Sequence, residues 1–94
     1  GWLAALGLLN ADERVAAFLL DLSQRFSARG FSARRFMLRM TRAEIGSFLG
    51  LTLETVSRVF SRFQKLGLLK VTRRDIELLD MDALASLAHS QTMN

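Results

Sequence analysis

Glu54, Ser57, Arg58, Ser61, Arg62 and Lys65 fall at spacings of three and four, which gathers six polar side chains along one face of a helix. The first three offer different hydrogen-bonding chemistry. A carboxylate only accepts, a guanidinium only donates, through a planar fork, and a serine hydroxyl does both while staying small. Such a set can read another molecule by hydrogen bonding. The chain has no cysteine and one histidine, His89, near its end. Disulfides, thiolate zinc sites and thiol catalysis are therefore excluded, and His89 supplies no nucleophile–base pair for an enzyme. The target that fits the face is the edge of a base pair. Arginine bonds guanine through O6 and N7, a carboxylate accepts from cytosine N4, and a small serine can sit against a thymine.

Stepping outward, the elements that would position this face can be read locally. Val56, Val59, Phe60 and Phe63 form the opposite, apolar face of the same helix, which the pattern places at 53–66, capped by Thr52 and stopped by Gly67. A preceding helix starts at Arg42 behind the capping box Thr41-Arg-Ala-Glu44 and ends at Gly50. Taking Arg42 as the first position, Ile45, Leu49, Leu51, Val56 and Val59 supply the contacts that lock two helices at a steep angle. Gly46 falls where a larger side chain would collide, and Gly50 supplies the positive φ of the turn. An ordinary helical hairpin shares the outline. Two glycines combined with five spaced apolar residues mark a helix-turn-helix.

Upstream, Asn10-Ala-Asp-Glu13 is another helix start, followed by Val15, Phe18, Leu19, Leu22 and Phe26 at helical spacing, with Gly30 as the stop. Phe36, Leu38 and Met40 alternate with Arg35, Met37 and Arg39, a short half-buried strand. Downstream, 69–72 and 76–79 are β-compatible runs joined by Arg73-Arg74-Asp75, a hairpin or wing. A last short helix carries Leu84 and Leu87 behind Asp80 or Asp82, and 89–94 reads as a frayed tail. The fold class is mainly α with a small β-hairpin, a winged helix-turn-helix over 10–94. Residues 1–9, with an apolar run from Trp2 to Leu9, read as a packing surface, either a separate turn or continuous with the next helix.

The charge supports a polyanionic partner. Net charge is +4 over 94 residues, but between Arg25 and Arg74 twelve Lys or Arg face only Glu44 and Glu54, a local balance of +10. Cations that neutralise phosphates release condensed counterions. Arg42, Thr52, Thr55, Arg73 and Arg74 are placed to clamp a backbone around the reading helix, with Arg62 and Lys65 further along it. Glu54 and Arg58 can also form a surface i, i+4 pair, worth a few tenths of a kcal/mol. A carboxylate facing DNA is costly in a non-specific binder, so Glu54 favours base reading over a mere phosphate grip. The longest apolar run, Trp2 to Leu9, is too short to span a bilayer and lacks the basic leader of a signal peptide. A cytoplasmic location is compatible with these features. The chain opens with Gly1, which points to a piece of something larger.

The run from Met40 to Arg58, continued through Arg62-Phe-Gln-Lys-Leu-Gly67 and back through Asn10 to Phe18, resembles the C-terminal domain of Crp/Fnr-family bacterial transcription regulators. Glu54, Ser57 and Arg58 match the Glu-x-x-Ser-Arg pattern of the Fnr-like branch; the cyclic-AMP-receptor branch has Arg and Gly where this chain has Leu53 and Ser57. The resemblance implies a homodimeric activator or repressor that binds double-stranded DNA at an inverted repeat of TTGAT-like half-sites and recruits RNA polymerase. Glu54 and Arg58 would read the G·C pair and Ser57 a neighbouring T, with Arg42, Thr52, Thr55 and Arg74 at phosphate positions. It also implies an upstream sensor barrel and a long dimerisation helix, of which residues 1–9 would be the remnant or hinge, with any cofactor held upstream and none in this fragment. One departure is Arg73, at a wing turn where relatives often carry Gly. The rival reading is a helix-turn-helix that docks proteins without specific DNA binding. An acidic or apolar face would favour it, and this face is neither.

Overall fold

The computed structural model describes residues 10–89. The first helix, α1 (Ala11–Ala28), opens on a reciprocal box: Glu13 N–H donates to Asn10 Oδ1 at 2.9 Å, and Asn10 N–H to Glu13 Oε1 at 2.8 Å. Two orphan amides of the first turn are thereby satisfied. The far end closes in a Schellman arrangement, with Gly30 N–H on Ser27 O at 3.0 Å and Phe31 N–H on Phe26 O at 2.9 Å. Its hydrophobic contact is the edge of one ring against the other, Phe26 to Phe31 at 6.2 Å, and Phe26 also stacks on Phe36 at 5.2 Å. The end of α1 is thus tied to the sheet.

That sheet has three strands, β1 (Arg35–Met37), β2 (Leu69–Thr72) and β3 (Asp75–Leu78), antiparallel in the order β1-β3-β2. The expected hairpin is present, and β1 joins it, with Phe36 opposite Ile76 and Val71 opposite the same residue. Two boundaries differ from the sequence reading. Burial alternates as anticipated, Phe36 and Leu38 inside, Met37 and Arg39 outside, but pairing stops at Met37. Beyond it Leu38 N–H donates to Arg74 O in the turn at 2.7 Å instead of extending the ladder. The second wing strand starts at Asp75 because Thr72 pairs with Asp75, leaving a two-residue turn of Arg73 and Arg74.

Helices α2 (Arg42–Leu49) and α3 (Leu53–Lys65) form the helix-turn-helix, and α4 (Met81–Ala88) packs along α1. Asp80 caps α4, its Oδ1 accepting from Ala83 N–H at 3.0 Å, which decides between the two candidate caps. Val15, Phe18 and Leu19 of α1 meet Ile45 and Leu49 of α2, Val56, Val59, Phe60 and Phe63 of α3, and Leu69, Ile76 and Leu78 of the sheet in one core. Each of the larger side chains contributes about 1.5–3 kcal/mol by leaving water. The core fixes how α3 is rotated, and therefore which face it shows. The expectation for residues 1–9, and most of that for the tail, lies outside the described residues.

Candidate nucleic-acid interface

The turn between α2 and α3 leaves almost no room. Gly50 takes φ +74°, and Leu51 N–H closes on Gly46 O at 2.7 Å. A Cβ on Gly46 would lie 2.5 Å from Leu51 O, a backbone atom that no rotamer change can move. The collision is with the turn and the start of α3, not with a side chain of the facing helix. Arg14 reaches across from α1 and donates to Leu49 O at 3.0 Å, placing a cation on the carbonyl end of α2. Sequence reasoning missed this contact, because nothing local links residue 14 to residue 49.

Thr52 caps α3 as expected, accepting Thr55 N–H at 3.1 Å and donating its hydroxyl to Thr55 Oγ1 at 2.9 Å. The same Thr55 oxygen accepts from Arg58 Nη2 at 3.3 Å. Arg58 therefore bonds to Thr55, and among the described residues no ion pair joins it to Glu54. The possible i, i+4 bridge is not formed, so the Glu54 carboxylate is not neutralised by its neighbour. Glu54, Arg58, Ser61, Arg62 and Lys65 are exposed and Ser57 is half-buried. Ser57, Arg58, Ser61, Arg62 and Lys65 line one shallow open groove along the helix. Arg62 is engaged: its Nη2 donates to the Asp12 carboxylate at the start of α1. That contact, and the coulombic attraction with it, holds the guanidinium pKa above its ordinary value.

A second group gathers at the other end of the helix-turn-helix. Thr41, Arg42, Arg73 and Arg74 line a small cavity of about 190 Å³ with Leu38, Met40 and Phe60. The Arg42 guanidinium lies over the Phe60 ring, 5.0 Å from its centroid, an attraction that orients the side chain. Arg73 occupies the turn at φ +59°, the left-handed conformation that glycine takes without penalty. For arginine it costs about 1 kcal/mol, met here by strand pairing on both sides of the turn. The wing is therefore built without glycine.

Glu44 belongs to this end as well. The backbone N–H of Thr41, then its hydroxyl contact, hold the carboxyl below its ordinary 4.5, against slight desolvation and with a smaller pull from Arg74. A carboxylate favoured in the folded state stabilises above the unfolded value and loses that effect as pH falls through the lower folded one. Glu44→Gln is accordingly expected to lower the melting temperature at neutral pH, with the gap to the parent closing at pH below 4.5. Thermal denaturation followed by circular dichroism across that range measures it.

A helical core, a glycine turn, a polar reading helix and a wing carrying two arginines define a winged helix-turn-helix. A model of the Crp-like helix-turn-helix domain matches residues 13–87. The chain belongs to the Crp/Fnr family of transcription regulators, of which it is the helix-turn-helix DNA-binding domain. It is 59% identical over 79 residues to the transcriptional activator protein FnrA of Stutzerimonas stutzeri, covering 84% of this chain and 32% of that protein. It is 53% identical over 85 residues to the transcriptional regulatory protein btr of Bordetella pertussis, covering 90% and 35% respectively. The structure of FixK2 from Bradyrhizobium japonicum superimposes with a TM-score of 0.78 at 42% identity, over 87% of this chain and 40% of that one. The chain thus spans about a third of the length of these curated relatives, which are named as regulators and not as enzymes. No described helix is long and apolar enough to cross a membrane.

Proposed function

We propose that this domain binds double-stranded DNA sequence-specifically, with the outer face of α3 in the major groove of a TTGAT-like half-site. The observation that carries the reading is the face itself: among the described residues Glu54 forms no ion pair, and Arg58 is steadied by Thr55. An acceptor-only and a donor-only group, one helical turn apart, suit the two halves of a G·C pair. Glu54 and Arg58 read that pair and Ser57 a neighbouring thymine. Arg42, Thr52, Thr55, Lys65, Arg73 and Arg74 hold the backbone, and Arg62 joins them only where it releases Asp12. In the whole regulator the domain acts as a homodimer on an inverted repeat and works with RNA polymerase in the cytoplasm, and any cofactor belongs to the portion of the relatives that this chain does not cover.

Fluorescence-anisotropy titration of a duplex carrying a TTGAT inverted repeat, against one with its G·C pairs swapped, tests the reading. Preference for the intact repeat supports it. Equal, salt-sensitive affinity would remove the base-reading assignment, and no binding to either duplex at low salt would turn the face into a protein-docking surface. In the same assay Arg74→Ala is expected to weaken both duplexes alike. It should also flatten the dependence of log K on log salt by about 0.9, the loss of one phosphate contact.

A further inference from the structure

Three ion pairs occur among the described residues, and they differ in reach. Arg25–Asp21 lies within α1 and Arg35–Glu77 within the sheet. Arg62–Asp12 alone ties the reading helix to another element, across 50 positions of sequence. Asp12 stands in the first turn of α1, where the positive end of the helix favours a carboxylate. Both partners are open to solvent, with side chains 50% and 31% exposed, so the pair can exchange with an outside anion. Its neighbours on the strip are unlike it. Arg58 donates to a hydroxyl, and Lys65 has no acidic partner among the described residues.

We propose that Asp12 is a brake on DNA binding: it occupies Arg62 and withholds that cation from the phosphate backbone. The proposal rests on the DNA-binding reading above. A carboxylate of the chain stands where a phosphate oxygen would otherwise bind the guanidinium, so the domain grips DNA with one cation fewer than its surface carries. Because phosphates carry no sequence information, the brake lowers affinity for every duplex by a similar factor and leaves base discrimination unchanged. The domain is thereby made to depend on its base contacts, and on a second copy, for tight binding.

The test is anisotropy titration of the 94-residue chain and three variants on the TTGAT-repeat duplex and a scrambled one, from about 50 to 200 mM salt. Asp12→Asn is expected to tighten both duplexes by a similar factor and steepen the salt slope by about 0.9, one added phosphate contact. In the Arg62→Gln background Asp12→Asn is expected to steepen the slope by far less than about 0.9, because the guanidinium it would free is gone. If Arg62→Gln alone flattened the slope by about 0.9, the guanidinium would already be on a phosphate and the brake would be refuted. Equal tightening by Asp12→Asn in the Arg62→Gln background would show a general charge effect and refute it too. An unchanged slope for Asp12→Asn, with the parent binding normally, would overturn the brake alone. Failure of the parent to bind either duplex would overturn the DNA-binding reading and the brake together. Exposed pairs contribute little to folding, so circular dichroism should show the variants melting close to the parent.

Discussion

Replacing Arg58 with alanine is expected to weaken binding to the intact half-site by about 1–3 kcal/mol, and to flatten discrimination at one G·C pair. The size follows from chemistry. A bidentate bond from a planar fork to guanine O6 and N7 is lost, and the wrong base never offered that pair of acceptors. Affinity for the swapped duplex should therefore change far less, so the informative quantity is the ratio of the two dissociation constants. Arg58→Lys sharpens the test, since lysine keeps the charge but not the fork, and should retain salt-sensitive binding while losing most of the discrimination. If Arg58→Ala weakened both duplexes by the same factor, Arg58 would be another phosphate contact and specificity would have to come from elsewhere on the face. Thr55 enters here as a positioning residue, because its oxygen accepts from the Arg58 guanidinium at 3.3 Å.

The second large effect concerns stability. Gly46→Ala is expected to destabilise the fold by about 1–3 kcal/mol, the usual range for forcing atoms into a packed site. For a domain of this size that is a fall in melting temperature of roughly 4–8 °C per kcal/mol. The added carbon would sit 2.5 Å from Leu51 O, and that carbonyl belongs to the turn that sets α3 against α2. Relief requires the turn to open, which moves the reading helix as well. DNA affinity should therefore fall along with the melting temperature. Gly67→Ala is a useful contrast, since a Cβ there meets nothing within 4 Å and any cost comes from its backbone at φ +74°. A Gly46→Ala protein that melted with the parent would show that the turn yields easily.

The parts legible in the sequence share one property: their signals are local. Asn10 with Glu13, Thr41 with Glu44, and Thr52 each announce a helix start through residues three positions away, and all three caps form. Period and burial agree on α3 for the same reason, since its apolar face is written within 13 residues. What was not legible depends on partners far along the chain. The ladder of β1 stops at Met37 because the next amide, that of Leu38, turns to the carbonyl of Arg74. No feature near Arg62 announces Asp12, and the stack of Arg42 on Phe60 needs the completed turn between helices. The i, i+4 spacing of Glu54 and Arg58 allows a bridge, but Arg58 takes another local partner, the Thr55 hydroxyl. Of the site residues chosen by type and spacing, Ser57, Arg58, Arg62 and Lys65 share the groove along α3, and Arg42, Arg73 and Arg74 share the cavity beside the wing, while Thr52, Glu54 and Thr55 line neither.

The strand order has a consequence for how the molecule comes into being. The central strand, β3, is the last of the three to be synthesised, and it alone bonds both others. Helices α2 and α3 can meet before residue 75 emerges, whereas α1 gains α4 only afterwards and β1 must wait some forty residues for its neighbour. A growing chain interrupted after Thr72 would lose the whole sheet, not an edge of it. The wing and the strand that braces it thus arrive in a single late step, and until β3 emerges the helix-turn-helix has no sheet beside it.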